Sequence, residues 1–502
     1  MNTVNNWSWP WPQKGQNEEL VVKEVLGRIS SPYEQTPPPL CYPGTPLSWL
    51  KNDGLVNYNL RSLAEQLVSK QLNMIGCHTH GKLVDGNLEF HRGEGGFESI
   101  HQIEREVIWM LASVLGGSPN TVDGFFLTGG TSGNLQALFV AREWLRKQIP
   151  QTDHSCIKEI TADKPNNGVI LLTTPASHYS VFKAAEILDI ADMQTVKCEK
   201  CGYRHMPQYK KGFGGNIALV GMNSHGEMSV DSLKAEYSKW SVMNNRRFIV
   251  VATLGTTATG AVDPIPEISE FVTWVNKHTS NRMYLHIDAA FGGMTVPFVN
   301  PTYHAAFQNE GVASIVVDGH KMGQLPYTSG IFICRKNMSW DKPNGENGLL
   351  ESVGRSVEYI NGHLDDTLEG SRTAINPILA WAYYRTIGRE GQTRYAQECL
   401  WHRDELVKLI LEKFPGVCDG GNFSPVSILP YSPYVNILPL AINSNWFIPS
   451  KMPDYELRSD VLPSNPADPA SCPDRKVYKL CVMPHTFKHL QGFVDQLHKL
   501  LG

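Results

Sequence analysis

The sequence predicts an α/β fold, in which helices cover both faces of a mostly parallel sheet and a smaller α+β domain follows. Short apolar segments alternate with amphipathic helical segments from about residue 100 to residue 335. Apolar strands separated by helices are typical of parallel sheets that are buried on both faces. From about residue 375 this alternation stops, and long helical segments flank two apolar strands. That change of pattern predicts the smaller domain.

The predicted elements of the large domain follow in a regular order. A first amphipathic helix, HQIEREVIWMLASVLG, ends at Gly116 and Gly117, as helices commonly end at glycine. After it come seven predicted strands, GFFL, GVILLTT, NIALVGM, RFIVVATLG, MYLHIDAAF, ASIVVDGHK and GIFICR. Ligands of such sheets bind beyond the carboxyl ends of the strands. Polar residues that follow these strands are therefore the candidates for a site.

The two ends of the chain differ from this middle part. Residues 1–40, rich in Trp, Pro and Asn, predict an arm that packs on another surface, and residues 59–75 have helical spacing. Near the other end, residues 381–414 predict a long helix, YVNILPLAI and KVYKLCVMP predict strands, and FKHLQGFVDQLHKLL predicts a last helix. The sequence thus predicts an N-terminal arm and helical segment (1–95), a large cofactor-binding domain (96–373) and a small C-terminal domain (374–502).

The composition excludes several classes of protein. The 502 residues are too many for one compact core, and a 41% hydrophobic and 19% charged content is that of a globular enzyme. A net charge of −4 gives no reason to expect a nucleic-acid partner. The N-terminus lacks the basic and apolar regions of a secretory signal, and no apolar run approaches the roughly 18 residues of a membrane helix.

The ten cysteines are scattered along the chain, which predicts reduced thiols and a cytoplasmic protein. Cys198 and Cys201 have the spacing of a metal-binding pair, and His205 follows them. A structural zinc site needs four ligands, and no second pair with matching spacing follows. We therefore predict a loop with two free thiols here and no metal site.

Lys321 follows an apolar strand, where a lysine is unusual because lysines mostly lie in water. Burial among apolar neighbours would lower the pKa of its amine and make it a nucleophile toward an aldehyde. A lone lysine at a strand end is, however, more often the partner of an ion pair. Asp288 ends another apolar strand, and a buried carboxylate there needs a cationic partner such as a pyridinium nitrogen. The small Ala290 would let a flat ring lie against the backbone.

Three other strand ends carry polar groups. His178 follows a strand and opens a helix, so its imidazole could stack on a flat ring or simply cap the helix. Thr131 and Ser132 lie in a glycine turn that leads into a helix, an arrangement that binds phosphate. A third strand is followed by three threonines, Thr256, Thr257 and Thr259. Together the strand ends supply a phosphate cradle, a ring-stacking group, a carboxylate and a lysine.

With these motifs, the sequence resembles the group II family of pyridoxal-phosphate amino-acid decarboxylases. The resemblance is carried by TGGTSGN, SHYSVFKAA, TLGTTATGAVDPI, HIDAAFGG, DGHKMG, VEYI, DDTLEGSR and CVMPH, over about residues 75–485. It implies the aspartate-aminotransferase-like fold (fold type I), pyridoxal 5′-phosphate as cofactor, an L-amino acid as substrate, and a homodimer. GTTATGAVDPI, VEYI and TLEGSR are closest to the bacterial histidine and serine decarboxylase branch. Segments 76–96 and 150–215 depart from the family pattern, so the resemblance does not identify the substrate.

The resemblance also implies a role for each motif residue. It implies that Lys321 holds the cofactor as a Schiff base, that Asp288 faces the pyridine nitrogen and that His178 is the stacking base. It also places Thr131 and Ser132 on the phosphate-binding turn and His320 beside the lysine. Thr257, Ala290 and Ser371 complete the predicted cofactor-binding set. The motif TLEGSR further implies that Ser371 or Arg372 reaches the neighbouring site of the dimer.

The proton donor and the reaction type are left with alternatives. Tyr359, in a segment rich in Gly and Asn (341–363), is the candidate that protonates the α-carbon after carbon dioxide leaves, and a packing tyrosine is the other interpretation. The reaction could instead be that of a carbon–carbon lyase of the same fold, like the sphingosine-phosphate lyases, or of a decarboxylating aldehyde synthase that uses oxygen. A non-catalytic descendant is a third alternative, and the joint presence of Lys321, Asp288 and His178 argues against it.

Overall fold

The architecture is that of a computed structural model of the chain. The structure describes residues 98–148, 169–190, 217–241, 246–340, 348–356, 364–414, 425–442, 457–463, 465–468 and 475–501, and also residues 67, 73–75, 82–84, 87–89, 452 and 455. The predictions for residues 1–40, for Cys198 and Cys201, and for Tyr359 lie outside the described residues.

A seven-stranded, mostly parallel sheet forms the centre of the large domain. Three short strands precede it, β1 (Asn73–Ile75), β2 (Lys82–Val84) and β3 (Asn87–Glu89). The sheet itself is made of β4 (Val122–Leu127), β5 (Val169–Thr173), β6 (Ile217–Leu219), β7 (Arg247–Thr253), β8 (Arg282–Asp288), β9 (Val312–Asp318) and β10 (Gly330–Arg335). Their spatial order is β4-β10-β9-β8-β7-β5-β6. Only β10 runs antiparallel to its neighbours in this sheet.

Helices cover both faces of the sheet. They are α1 (Glu98–Val114), α2 (Gly130–Lys147), α3 (Tyr179–Ile187), α4 (Val230–Trp240), α5 (Ile265–His278) and the single turn α6 (Val296–Val299). Successive side chains of a strand point to opposite faces. In β7, Phe248 and Val250 therefore belong to one hydrophobic core, which includes α1 and α5, whereas Ile249 belongs to the other, which includes α2 and α3. Both faces of the sheet are buried, as the continuous apolar strands predict.

The chain after β10 builds the smaller α+β part. Its elements are β11 (Arg355–Ser356), β12 (Leu364–Asp365), β13 (Ser371–Thr373), α7 (Ile375–Lys413), β14 (Val426–Ile428), β15 (Ile437–Ile442), β16 (Arg458–Leu462), β17 (Arg475–Cys481) and α8 (Leu490–Leu501). Three 3-10 helices cover Gly292–Met294, Leu350–Ser352 and Pro484–His489. The last four strands form an antiparallel sheet in the order β14-β15-β17-β16. The side chains of α7, α8 and this sheet share a third hydrophobic core.

Most of the predicted elements form, and one prediction is wrong. All seven predicted strands of the large domain lie in the central sheet, which gives the predicted α/β class. Residues 73–75, predicted as the end of a helix, instead form β1, which pairs antiparallel with β13. Backbone pairing with a strand some 300 residues later in sequence overrides the local helical spacing there. The division at residues 95 and 373 stays a prediction.

Among the described residues, no helix is both long enough and apolar enough to cross a membrane.

Candidate functional site

Lys321 lies just after β9 and pairs with a carboxylate of its own segment. Its Nζ is 2.9 Å from Oδ2 of Asp318, the last residue of β9, and the lysine side chain is 26% exposed. Burial alone would lower the pKa of Lys321, but Asp318, with smaller effects from Asp288 and Tyr327, raises it above its ordinary value. The prediction of a lowered pKa is therefore wrong. The ion pair that lysines of this kind usually make is present within the site itself.

Asp288 ends β8 and is held by a buried polar network. The carboxylate is 4% exposed; its Oδ2 accepts a hydrogen bond from Asn134 Nδ2 at 2.9 Å, and its Oδ1 accepts one from the Ala290 amide at 3.2 Å. The other end of the Asn134 amide, Oδ1, lies 3.0 Å from His286 Nε2, and His286 Nδ1 lies 2.8 Å from Ser314 Oγ. Burial lowers the pKa of His286 to about 4, so this imidazole is neutral at physiological pH and helps to orient the network without adding charge.

His178 is half-buried at the N-terminus of α3. Its Nδ1 lies 2.7 Å from Ser180 Oγ and accepts a weaker hydrogen bond from the Ser180 amide at 3.4 Å, so the histidine does cap the helix. Burial lowers the pKa of His178, Asp288 raises it, and Lys321 lowers it again. His178 is also linked to Asp288 by hydrogen bonds, because Asn134 Nδ2 donates to both Ser180 Oγ and Asp288 Oδ2. Capping occupies Nδ1 and leaves Nε2 for the site, so the two interpretations of His178 are compatible.

The antiparallel sheet of the small part contributes a cation to this site. Lys479 on β17 is close enough to His178 to lower its pKa further. Its own partner is Asp460 on β16, at 3.8 Å, and the lysine side chain is 21% exposed. Lys479 on the second sheet is therefore a partly exposed positive charge that acts on His178, which the sequence interpretation missed.

The glycine turn before α2 is narrow and lies against the lysine segment. A Cβ on Gly130 would come 3.0 Å from Asp318 Oδ2 and 3.1 Å from the Cβ of Ala290. A Cβ on Gly133 would come 2.1 Å from a methyl group of Val316, so α2 can lie this close to β9 only with glycine there. The turn thus keeps a cradle of backbone amides at the helix N-terminus beside Ala290 and Asp318.

The hydroxyl groups of this turn meet the segment that follows β12. Ser132 Oγ is hydrogen-bonded to Thr128 Oγ1, and Thr128 Oγ1 also donates to Glu369 Oε1 at 3.0 Å. Gln136 fixes the same segment, because its amide donates to Asp366 O at 2.8 Å and accepts from the Leu368 amide at 3.0 Å. Thr131 and Ser132 are both half-buried at the start of α2.

The two remaining strand-end candidates support neighbouring loops. His320 Nδ1 accepts a hydrogen bond from the Ser329 amide at 3.0 Å, and its Nε2 lies 3.6 Å from Asp318 Oδ2. Burial lowers the pKa of His320, which Asp318 partly offsets. Thr257 is half-buried in the loop after β7; that loop is tied to the Asp288 loop because the Leu254 amide donates to Asp288 O at 2.8 Å.

The TLEGSR motif divides into an exposed and a buried residue. Ser371 is exposed on β13. Arg372 is 5% exposed and forms an ion pair with Glu104 of α1, with Nη2 3.2 Å from Oε2, and its Nη1 donates to Phe126 O at 2.9 Å. Arg372 is therefore engaged within its own chain, although its buried Nε has no hydrogen-bond partner among the described residues. The expectation that Ser371 or Arg372 reaches a neighbouring site is not tested by these contacts. Ser371 stays a prediction.

The residues fit pyridoxal 5′-phosphate. A buried carboxylate, Asp288, is available for a cationic ring nitrogen, and Lys321 supplies an amine beside it. Asp318 Oδ1 is buried without a hydrogen-bond partner among the described residues, and the bare surface of Gly130 lies next to the other oxygen of that carboxylate, Oδ2. A phosphate group suits the helix N-terminus that this turn forms.

Comparisons with known proteins agree with this geometry. The profile of the pyridoxal-dependent decarboxylase conserved domain matches residues 210–415. A tryptophan decarboxylase of Clostridium sporogenes is 30% identical over 321 residues, which cover 64% of this chain and 62% of that protein. An L-tyrosine/L-aspartate decarboxylase of Methanocaldococcus jannaschii is 25% identical, over 84% of this chain and 88% of its own length.

A solved structure confirms the fold. The glutamate decarboxylase of Lactobacillus brevis superposes with a TM-score of 0.70 at 15% identity, over 99% of this chain and 95% of that one. The predicted fold type I is thereby confirmed. The relatives named above decarboxylate tryptophan or tyrosine and aspartate, so the finer resemblance to the histidine and serine branch is not confirmed.

Proposed function

We propose that this chain, a member of the pyridoxal-dependent decarboxylase family and a pyridoxal-5′-phosphate-dependent amino-acid decarboxylase, carries its cofactor on Lys321 with Asp288 at the ring nitrogen. One observation supports this most: the ends of β8 and β9 bring the Asp288 carboxylate and the Lys321 amine into one electrostatically coupled site beside a bare glycine turn.

When bound, pyridoxal 5′-phosphate supplies an aldehyde that condenses with amines and a protonated ring that withdraws electrons from the α-carbon. The chain must hold that ring in place. Thr131, Ser132 and the amides of their turn would hold the phosphate, and Ala290 and His178 would hold the ring between them. The Asp288 carboxylate, fixed by Asn134 and by the Ala290 amide, would keep a proton at the ring nitrogen. Thr257 and His320 complete the binding set from neighbouring loops.

Decarboxylation further requires that the substrate carboxylate leave the ring plane and lose its water. We propose that Lys479 orients that carboxylate, because its side chain is partly exposed and its positive charge acts on His178. A contact with Lys479 would draw the carboxylate toward His178, on the side of the ring that the imidazole covers. Both residues would then fix the bond to be broken.

A proton must replace carbon dioxide at the α-carbon. We propose Tyr359 as its donor: a phenol in a closed site can deliver the proton and regain one from solvent after opening. Tyr359 lies outside the described residues. If Tyr359→Phe makes amine at the normal rate, His178 Nε2 is the next candidate.

The active unit is proposed to be a cytoplasmic homodimer, in which the exposed Ser371 reaches the partner's site. Support for the dimer comes from the family resemblance, and support for a reducing compartment from Cys334 and Cys399, which are buried free thiols. Mixing a Lys321 variant with a Ser371 variant should restore no activity if each site is built from one chain alone.

The substrate is proposed to be an aromatic or a small acidic L-amino acid, the classes named for the two relatives above. Histidine and serine remain in the assay because the motifs GTTATGAVDPI and TLEGSR resemble that branch. The test is to incubate the yellow holoenzyme with each amino acid and to identify the product by mass spectrometry. An amine supports the proposal, whereas an aldehyde without amine would favour the carbon–carbon lyase or the aldehyde synthase.

The cofactor lysine is tested separately. Reduction with borohydride followed by peptide mapping should fix the cofactor on Lys321. A label on any other lysine contradicts the site assignment. Lys277, which pairs with Glu310 at 2.6 Å on the surface, is a suitable internal control for non-specific labelling.

A further inference from the structure

A cavity of about 330 Å³ lies between α1, α6 and the middle of α7, away from the site described above. Met110 and Val114 of α1 and Met294 and Phe298 beside α6 give it apolar walls. The volume is at the lower end of the range of about 300–1,000 Å³ in which proteins bind small molecules. None of the proposed cofactor-binding residues lines this cavity.

A break in α7 shapes one wall. Gly388 has φ +63° and ψ −178° inside the helix, a conformation that residues with a Cβ rarely adopt. A Cβ at this position would meet nothing within 4 Å, so no crowding requires the glycine. The backbone geometry does require it, and the resulting kink is part of the cavity wall.

Two cations line the same cavity. Arg385 and Arg389 are both exposed, one on each side of Gly388. Neither forms an ion pair with an acid in the part of the chain that the structure describes, and the cavity lining contains no acidic residue. The Arg385 guanidinium lies 4.7 Å from the ring centroid of Trp381, which holds it in place without neutralising it. Apolar walls with two cations beside them match a small molecule with an apolar tail and one carboxylate.

Two further lining residues connect this cavity to the lysine segment. Tyr384 Oη donates a hydrogen bond to Gly323 O at 3.2 Å. Gln392 Nε2 donates to Met322 O at 3.0 Å and to Met294 O at 2.9 Å. Residues 322 and 323 directly follow Lys321. A ligand that moves the Tyr384 or Gln392 side chain therefore moves the backbone that positions the lysine.

We propose that this cavity is a second binding site, for a small aliphatic or arylalkyl carboxylate, and that its occupation changes the environment of Lys321. The site binds the carboxylate through Arg385 and Arg389 and the tail through the methionines and Phe298. The class of ligand is set by this chemistry and does not depend on the substrate of the first site.

The test uses the holoenzyme and octanoate as the probe, with binding measured by calorimetry. Octanoate should bind, and the uncharged octanamide should bind about tenfold more weakly, because it keeps the tail and loses the charge-assisted contacts. The double variant Arg385→Gln, Arg389→Gln should bind octanoate about tenfold more weakly and bind octanamide with unchanged affinity. Arg394→Gln is the control for the loss of positive charge from this helix, because Arg394 is exposed on α7 outside the cavity. This variant should bind octanoate as the wild type does. Ser113→Trp, at an exposed position of the lining, should block both probes.

The link to Lys321 has its own readout. Octanoate should shift the visible absorption of the bound cofactor, and Tyr384→Phe, which removes the bond to Gly323, should reduce that shift while octanoate still binds. Equal affinity for octanoate and octanamide overturns the proposed ligand class. Binding without a spectral change overturns the link to Lys321. If Ser113→Trp instead dissociates the oligomer at sedimentation equilibrium, a second copy of the chain covers this face and the proposal fails.

Discussion

The Nζ atom of Lys321 lies 2.9 Å from Oδ2 of Asp318, three residues earlier in the chain. Both side chains belong to the turn that leaves β9, so the strand end fixes their separation. The carboxylate outweighs the effect of burial and keeps the lysine pKa above its ordinary value. Before the cofactor is attached, Lys321 is therefore protonated at neutral pH. Only the small uncharged fraction of the amine can attack an aldehyde.

Replacing Asp318 should change the pH at which the apoprotein captures its cofactor. Asp318→Asn removes the negative charge beside Lys321 while the lysine stays buried, so the pKa of Lys321 falls. At neutral pH a larger fraction of its amine is then uncharged. The rate of cofactor capture, followed by visible absorbance, should then reach its plateau at lower pH. Asp318→Glu keeps the charge and is the control that should resemble the wild type. A capture profile in Asp318→Asn that overlays the wild type would mean that this ion pair does not govern the lysine.

The same substitution should alter stability at alkaline pH. A lysine whose folded pKa is raised contributes stability that is present below its unfolded pKa of about 10.4 and is lost as pH rises through the folded value. Asp318→Asn removes that contribution. Urea unfolding of the apoprotein between neutral pH and pH 11 should show a steeper alkaline loss in the wild type than in the variant. Parallel losses in both proteins would contradict the assignment.

Replacing Asn134 should lower turnover far more than the accompanying loss of stability explains. Its amide holds Asp288 and His286 together, so Asn134→Ala frees the Asp288 carboxylate to move away from the ring nitrogen. Each buried polar group that is left unsatisfied costs about 1–3 kcal/mol. Asn276→Ala is the matched control, because among the described residues the side chain of this buried asparagine hydrogen-bonds only to Val272 and Met283. Both variants should lose similar free energy of unfolding, and only Asn134→Ala should lose kcat by orders of magnitude. Equal kcat in the two folded variants would remove Asn134 from the site.

The sequence predicts the sheet well because the strands of the large domain are buried on both faces, so their composition alone distinguishes them from the helices between them. Asp288 ends such a strand and Lys321 and His178 come within five residues of one, which is why strand composition singles them out; their roles stay predictions. It does not predict that β10 runs antiparallel, since a buried strand has the same composition in either direction. Residues 73–75 form a strand only through pairing with residues 371–373, which no local pattern shows.

The supporting residues of the site are harder to predict than the central ones. Asp318 stands three positions before Lys321, and that spacing could have indicated an ion pair in a turn. Asn134, inside the TGGTSGN motif, had no signal of its own, because its partner Asp288 lies 154 positions away. Lys479 comes from a different sheet, and its approach to His178 depends on how the two parts of the chain pack.

Arg372 should matter to folding within one chain. Its guanidinium and the Glu104 carboxylate are both about 2% exposed, so removing one partner leaves a buried charge unpaired. Arg372→Met should lower the free energy of unfolding by about 3–5 kcal/mol, and Arg372→Met with Glu104→Leu should recover much of that loss. Chemical denaturation of the three proteins measures this. If Arg372→Met is instead as stable as the wild type and is active when mixed with a Lys321 variant, the arginine acts between subunits after all.

His178 should set the acid limb of the activity profile. Burial, Lys321 and Lys479 lower the pKa of His178, whereas the carboxylates of Asp288 and Asp318 raise it. The net result is a pKa below the ordinary value of about 6.5. The imidazole is therefore neutral at physiological pH, and kcat should fall only as acidification protonates it.

In Lys479→Gln one of the charges that lower the His178 pKa is gone, so this pKa rises and the acid limb moves toward neutral pH. The same variant should raise KM if Lys479 also orients the substrate carboxylate. Lys476→Gln is the control on the same strand, since the Lys476 ammonium lies 5.1 Å from the ring centroid of Tyr478 and is not among the charges that shift His178. Both effects can be read from kcat and kcat/KM between pH 5 and 9, with the imidazole followed by NMR in the apoprotein. An acid limb that stays in place in Lys479→Gln, while the His178 resonance does shift, would assign the limb to another group.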